Sequence, residues 1–147
     1  MKILIIEARY YEAISDMLLD GALSALDESE TDAEVHKIEV PGALEIPHAI
    51  AMAEGAGAGY DAYVALGCVI RGETTHYDYV CEQSARALMD LAVDQRLCIG
   101  NGIITVEDEA QAKARADKGD KDKGGFAARA ALKMASIKQD LEAGDPR

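Results

Sequence analysis

Gly72, Glu73, Thr74, Thr75 and His76 place side by side the residue types that can hold an anion and move a proton. Glycine permits a tight turn. The hydroxyls of Thr74 and Thr75 can cap a following helix, with Asp78 three residues after Thr75 as a capping-box partner. At such a junction the N–H groups of Gly72, Glu73 and Thr74 have no intrahelical acceptor, and the helix dipole favours negative charge, so a phosphate or carboxylate fits there. His76 falls in the first turn beside that pocket, and an unperturbed imidazole changes charge near neutral pH. Three readings stand open on the local pattern: an ordinary strand-to-helix turn with a surface histidine, an anion site with a titratable neighbour, and a nucleotide P-loop. The glycine spacing and the missing Gly-Lys-Ser/Thr ending argue against the third.

The elements around this junction follow from periodicity. Ala62–Ile70 is apolar without strict alternation, the pattern of a strand buried on both faces of a parallel sheet. Lys2–Ala8 reads the same way, and Arg9, Tyr10 and Tyr11 come directly after it. From Glu12, the residues Ile14, Met17, Leu18, Ala22, Ala25 and Leu26 recur every three or four positions, which predicts a helix ended by the acidic stretch Asp27–Asp32. Glu34–Val40 alternates apolar and charged residues and is expected nearer the sheet edge. Pro41-Gly42 stops it, and Pro47 fits the first turn of a helix running to about Ala56. After the junction, Tyr77, Val80, Cys81, Ala85, Leu88 and Leu91 trace a helix ending near Asp94. A fourth strand, Leu97–Val106, carries Gly100, Asn101 and Gly102 in its middle, where glycines mark a close approach by backbone or ligand. Thr105 with Asp108 predicts a cap for a short helix through Ala116, Asp117–Gly125 a polar loop, and Phe126–Leu141 a last helix with frayed residues beyond it.

Four strands alternating with helices predict an α/β chain: a three-layer αβα sandwich over a four-stranded parallel sheet, flavodoxin-like. Ligands of such folds bind outside the carboxyl ends of the strands. That rule collects Arg9-Tyr10, Gly42–Glu45 and Gly72–His76 on one rim.

The 147 residues suit one domain with a real core, and 49% hydrophobic against 29% charged is an ordinary globular composition. A formal charge of −12 disfavours nucleic acid as a partner, so any anion site must be locally positive. No apolar run approaches the roughly 20 residues that span a bilayer, and the N-terminus lacks a signal-peptide layout, which makes a cytoplasmic protein the expectation. Cys68, Cys81 and Cys98 are too few and too widely spaced for a disulfide framework, and with His36, His48 and His76 they show no metal-ligand spacing.

The rim segments resemble the 6,7-dimethyl-8-ribityllumazine synthase family. The matching strings are Arg9-Tyr10, PGALEIP at Pro41–Pro47, GCVIRGETTHYDYV at Gly67–Val80, NGIITVED at Asn101–Asp108 with Arg115, and Lys123-Gly124. They keep the family's order and span nearly the whole chain. The resemblance implies condensation of 5-amino-6-(D-ribitylamino)uracil with 3,4-dihydroxy-2-butanone 4-phosphate, with no metal or redox cofactor. It implies that Tyr10, where the family usually has Phe, stacks on the pyrimidine. Ala43, Leu44 and Glu45 line the pyrimidine and ribityl chain, and Cys68, Val69 and Ile70 present backbone groups to the heterocycle. Glu73 and Thr74 hold phosphate through their N–H groups, His76 transfers protons, and Arg115 completes the phosphate site. Lys123 is a further cation near the substrates, and Asn101 takes a position where many relatives carry Phe. Phe126 stands where relatives often have Glu and receives no role.

A carboxylate at Glu73 is unfavourable beside phosphate unless it points away or pairs with a cation such as Arg71 or Arg115. In the family Asn101, Arg115 and Lys123 act across a subunit boundary, which implies a homo-oligomer with shared sites. Because the chain opens on its first core strand, an isolated pentamer is the expectation, rather than a shell. Two other readings keep the fold. One is a flavin- or lumazine-binding paralogue without catalysis, to which the departures at Tyr10, Glu73 and Asn101 would point. The other is a phosphoacceptor or scaffold domain, which would call for a clustered acidic pocket that the Asp and Glu placement does not provide.

Overall fold

The computed structural model describes residues 1–145. Four strands, β1 (Lys2–Ala8), β2 (Glu34–Val40), β3 (Ala62–Ile70) and β4 (Ile99–Val106), form one all-parallel sheet in the order β2-β1-β3-β4. The helices are α1 (Glu12–Glu28), α2 (Glu45–Gly55), α3 (His76–Asp94), α4 (Glu109–Ala116) and α5 (Lys123–Glu142). Helices α1, α4 and α5 cover one face, α2 and α3 the other. The arrangement is the flavodoxin-like three-layer sandwich that the sequence predicts.

The central strands are held by burial on both faces. Along β1, Ile3 and Ile5 face α1 and α5, while Leu4 and Ile6 face α2. Ile3, Ile5 and Ile6 are wholly buried, and each such side chain contributes about 1.5–3 kcal/mol. β3 is buried from Ala62 to Cys68. β2, at the edge, is exposed along most of its length, and its charged residues Glu34, Lys37 and Glu39 suit an edge strand. Among the described residues no helix is long and apolar enough to cross a membrane.

Several boundaries and contacts differ from the sequence reading. β4 begins at Ile99, because Leu97 and Cys98 still belong to the connection from α3. The buried stripe of α3 is Val80, Ser84 and Leu88; Ala85 faces outward, and the Ser84 hydroxyl is satisfied by the Val80 carbonyl at 2.6 Å. α4 is capped by Asp108, whose carboxylate accepts from the Gln111 N–H at 2.8 Å, so Thr105 stays in β4. α5 starts three residues early, at Lys123, because Asp122 takes a left-handed conformation (φ 46°) and caps it through the Gly125 N–H. The polar loop is correspondingly shorter. At the other end α5 runs to Glu142, and of the residues expected to fray, Pro146 and Arg147 lie outside the described ones.

The glycines in β4 answer to a backbone, not to a ligand. A Cβ on Gly100 would stand 1.8 Å from the Ala127 carbonyl oxygen of α5, and one on Gly102 2.8 Å from the Ala65 carbonyl oxygen of β3. Helix α5 therefore lies directly on β4. We expect Gly100→Ala to lose about 1–3 kcal/mol in urea unfolding, as overpacking does. Gly55→Ala, with open space around its Cβ at the end of α2, should hold level or gain up to about 1 kcal/mol. Equal losses at both positions would mean that chain flexibility, not close approach, selects glycine in β4.

Candidate active site

A cleft of about 470 Å³ opens at the carboxyl ends of β1 and β3, where the chain crosses over in opposite directions from the centre of the sheet. Its size suits a small molecule. Ala8, Tyr10 and Tyr11 line it from the β1–α1 connection, Pro41 to Glu45 from the β2–α2 connection, Cys68 to Ile70 from the end of β3, and His76 and Val80 from α3. Of the residues singled out from the sequence, Tyr10, Ala43, Leu44, Glu45, Cys68, Val69, Ile70 and His76 thus meet around one space. Gly42 also stands where the carboxyl-end rule put it, whereas Ala8, Tyr11, Pro41 and Val80 were given no part in a site. Val80 was open to detection, since it stands one helical turn after His76 on the same face.

The wall residues differ in how firmly they are held. Tyr10 is 77% exposed, and its ring meets only the edge of Tyr11, with centroids 4.9 Å apart. Burial pushes the Tyr11 phenol up from its ordinary value, so it enters the cleft as a neutral hydrogen-bonding group. Ala43 is buried, Leu44 exposed, and Glu45 is the half-buried first residue of α2, where a carboxylate complements the helix dipole. Burial pushes the Cys68 thiol up to about 11, which makes it an uncharged floor residue at neutral pH and no nucleophile.

At the junction that opened the sequence reading, α3 begins at His76 with Thr75 in helical conformation, and neither threonine builds the expected capping box. The Thr74 hydroxyl instead accepts from the His76 N–H at 3.3 Å, and the Asp78 N–H bonds the Thr75 carbonyl at 3.0 Å. The Asp78 carboxylate has left the cap for Arg71, 3.3 Å from Nη1. The N–H groups of Gly72, Glu73 and Thr74 have no acceptor within the described chain. Gly72 needs no positive φ and has open space where a Cβ would stand.

Arg71 does not pair with Glu73. Its Nε donates to Glu107 at 2.7 Å, and its guanidinium lies 4.3 Å from the centre of the Tyr77 ring, so it ties the β3–α3 and β4–α4 connections together. Arg115 bonds the Gln111 carbonyl at 3.2 Å. Glu73 is left exposed with no cation partner among the described residues.

Glu73, Thr74, Asn101, Arg115 and Lys123 do not line this cleft. Asn101 sits in mid-β4 with its side-chain oxygen accepting from the Ile103 N–H at 3.0 Å. Arg115 is half-buried on α4, and Lys123 opens α5 with its ammonium 5.4 Å from the centre of the Phe126 ring. Neither cation has a carboxylate partner among the described residues, whereas Arg9, Arg71, Arg86 and Arg129 all do. No Lys or Arg is among the residues that line the cleft.

Fold and cleft together define a flavodoxin-like α/β protein with a small-molecule-sized opening at the carboxyl ends of its central strands. The particular family follows from comparison with known proteins. The model of the 6,7-dimethyl-8-ribityllumazine synthase family matches residues 1–139, and the chain belongs to that family. It is 62% identical to the 6,7-dimethyl-8-ribityllumazine synthase of Bartonella tribocorum over 137 residues, covering 93% of this chain and 89% of that one. It is 59% identical to 6,7-dimethyl-8-ribityllumazine synthase 1 of Rhizobium meliloti over 145 residues, 96% and 94% of the two chains. To the synthase of Sphingopyxis alaskensis it is 57% identical over 145 residues, 97% and 98%.

The state of Cys68 has a direct readout. Alkylation by iodoacetamide, followed by peptide mass analysis, should leave Cys68 unmodified at pH 7.5 and reach it only as the pH nears 11. Rapid modification at neutral pH would show a thiolate in the cleft.

Proposed function

We propose that this chain condenses 5-amino-6-(D-ribitylamino)uracil with 3,4-dihydroxy-2-butanone 4-phosphate to 6,7-dimethyl-8-ribityllumazine, the penultimate step of riboflavin biosynthesis. The observation that carries the reading is one cleft, in a chain matched by the family over residues 1–139, lined by eight of the residues that the family's motifs single out. Tyr10 stacks on the pyrimidine. Glu45 accepts hydrogen bonds from ribityl hydroxyls, Ala43 and Leu44 give that chain an apolar wall, and the backbone of Cys68, Val69 and Ile70 meets the polar edge of the heterocycle. The free N–H groups at Glu73 and Thr74 receive the phosphate.

The atoms balance with loss of one phosphate and two waters, and no electrons change hands. The primary amine adds to the ketone and water leaves to give an imine. Loss of a proton and of phosphate gives an enol, which becomes a ketone. The ribitylamino nitrogen closes the ring on that ketone, and the second water leaves. His76, at the cleft wall, carries protons between these steps. Holding both substrates in reacting orientation supplies most of the acceleration, with acid–base help smaller.

A phosphate in this cleft needs a cation, and the lining has none. Arg115 and Lys123, without carboxylate partners, suit delivery from a second copy, with Asn101 at the same boundary. The assembly we propose is a homopentamer with its sites between subunits, in the cytoplasm, where three free thiols suit the reducing environment.

The test is to incubate the protein with both substrates and follow the fluorescent lumazine; no product from a folded oligomer would end the reading. His76→Ala should slow kcat about a hundredfold, the low end of acid–base contributions, without abolishing it. Complete loss in a folded assembly would mean that proton transfer, not proximity, dominates. Subunits carrying Arg115→Ala and subunits carrying His76→Ala should each be slow alone and regain turnover when unfolded and reassembled together. A mixture no faster than its parents would place both residues in one subunit's site.

A further inference from the structure

Arg9 immediately precedes Tyr10, yet its side chain does not line the cleft. It turns to the other face of the sheet. There Nη1 donates to Glu7 Oε1 at 2.8 Å, and Nη2 donates to Asp16 on α1. Glu7, the last residue but one of β1, is 1% exposed, and its second oxygen lies 3.5 Å from Lys37 Nζ on β2. A carboxylate so buried must be paired, so Arg9 is not free to swing away. Asp16 holds the guanidinium's other edge, and it is this contact that foremost raises the Arg9 pKa above its ordinary value. Ser15, also buried, closes the same turn from inside: its hydroxyl reaches the Ala8 carbonyl at 3.5 Å and its N–H bonds the Tyr11 carbonyl at 2.9 Å.

Tyr10 sits in the middle of this tied segment with an almost bare ring. Its single aromatic neighbour, Tyr11, belongs to the same segment. With so little packed against it, the ring is carried by the backbone of Arg9–Tyr11 and by its edge contact with Tyr11.

We infer that Arg9, bridging buried Glu7 to Asp16, is a positioning residue for the pyrimidine substrate: it fixes the backbone under Tyr10 so that the ring waits at the cleft mouth for a flat heterocycle. The inference rests on the proposed condensation and on Tyr10 as its stacking residue. Its benefit is preorganisation. A ring ordered before binding spares the complex the cost of ordering it, which otherwise appears as weaker binding of the substrate that it stacks on. The phosphate-bearing substrate, held elsewhere, does not feel it.

Two variants loosen the knot by different routes. Asp16→Asn removes the outer charge at an exposed position of α1, where folding is not at risk. Arg9→Lys keeps a cation for Glu7 but replaces the planar fork with a single ammonium that does not span both carboxylates. Steady-state kinetics with both substrates should show the KM for the ribitylaminouracil rising about three- to tenfold in either variant. The KM for the butanone phosphate and kcat should stay within about twofold of the parent. In a Tyr10→Ala background the same substitutions should add nothing to the pyrimidine KM, because the ring that they position is gone. An unchanged pyrimidine KM in Asp16→Asn, a parallel rise for both substrates, or an undiminished effect without Tyr10 would each overturn the inference. If Arg9→Lys does not fold, Asp16→Asn decides alone. The unsubstituted protein in the same assay separates the two levels: no lumazine from it defeats the condensation, whereas normal turnover with indifferent variants defeats only the role of Arg9.

Discussion

Strands β1 and β3 pair in parallel at the centre of the sheet, from Ile3 against Ala62 to Glu7 against Leu66, and the rest of the molecule follows from that pairing. Both are buried on both faces, so neither can shift register without moving a continuous layer of Ile, Val and Leu out of one core and into the other. From this pair the chain crosses outward in opposite senses, to β2 on one side and to β4 on the other. The connections leaving the carboxyl ends of β1 and β3 must diverge, and the cleft is the space that they leave. Its floor is rigid because it is the end of the core, as the buried Cys68 and Ala8 show.

The two helical layers are not built alike. On the α1, α4 and α5 side, small residues let backbones touch: Gly100 under Ala127, and Gly124 with its Cβ position 2.0 Å from the Leu18 carbonyl oxygen. That layer packs as one block with α1 lying along α5. On the α2 and α3 side the burial is lighter, and Leu44, Met52, Tyr79, Met89 and Val93 stand exposed. Leu23, Phe126, Met134 and Leu141 are likewise exposed on the other side, so large apolar side chains stand in the open on both faces, and the cleft takes Glu45, His76 and Val80 from the α2 and α3 side.

Charge is distributed with the same division of labour. With an excess of carboxylates, most arginines are neutralised at home, Arg9 and Arg71 in knots that fix the connections flanking the cleft. Arg115 and Lys123, like Lys2, Arg96, Lys121, Lys133 and Lys138, have no carboxylate partner among the described residues, and both stand outside their own chain's cleft.

The sequence by itself determined the strands and the order of helices, because burial on both faces, heptad-like spacing and turn residues are written locally. It fixed β1, β2 and β3 to the residue, and the motif strings sufficed to point to the family. It placed Tyr10, Glu45 and His76 on one rim because the carboxyl-end rule needs only strand direction. Only the tertiary structure decided who partners whom. Thr75 and Asp78 read as a capping box, yet Arg71, brought in from the end of β3, captures Asp78. Thr105 read as a cap, but pairing with β3 keeps it in the sheet and leaves the role to Asp108. The start of α5 moved because Asp122 adopts a left-handed turn against Gly21 of α1, a contact across a hundred residues of chain. At caps, ion pairs and helix starts several nearby partners of similar energy compete, and strand pairing or a packed neighbour from elsewhere in the chain selects among them. Neighbours in sequence cannot decide such exchanges, whereas the burial pattern of a central strand outweighs them.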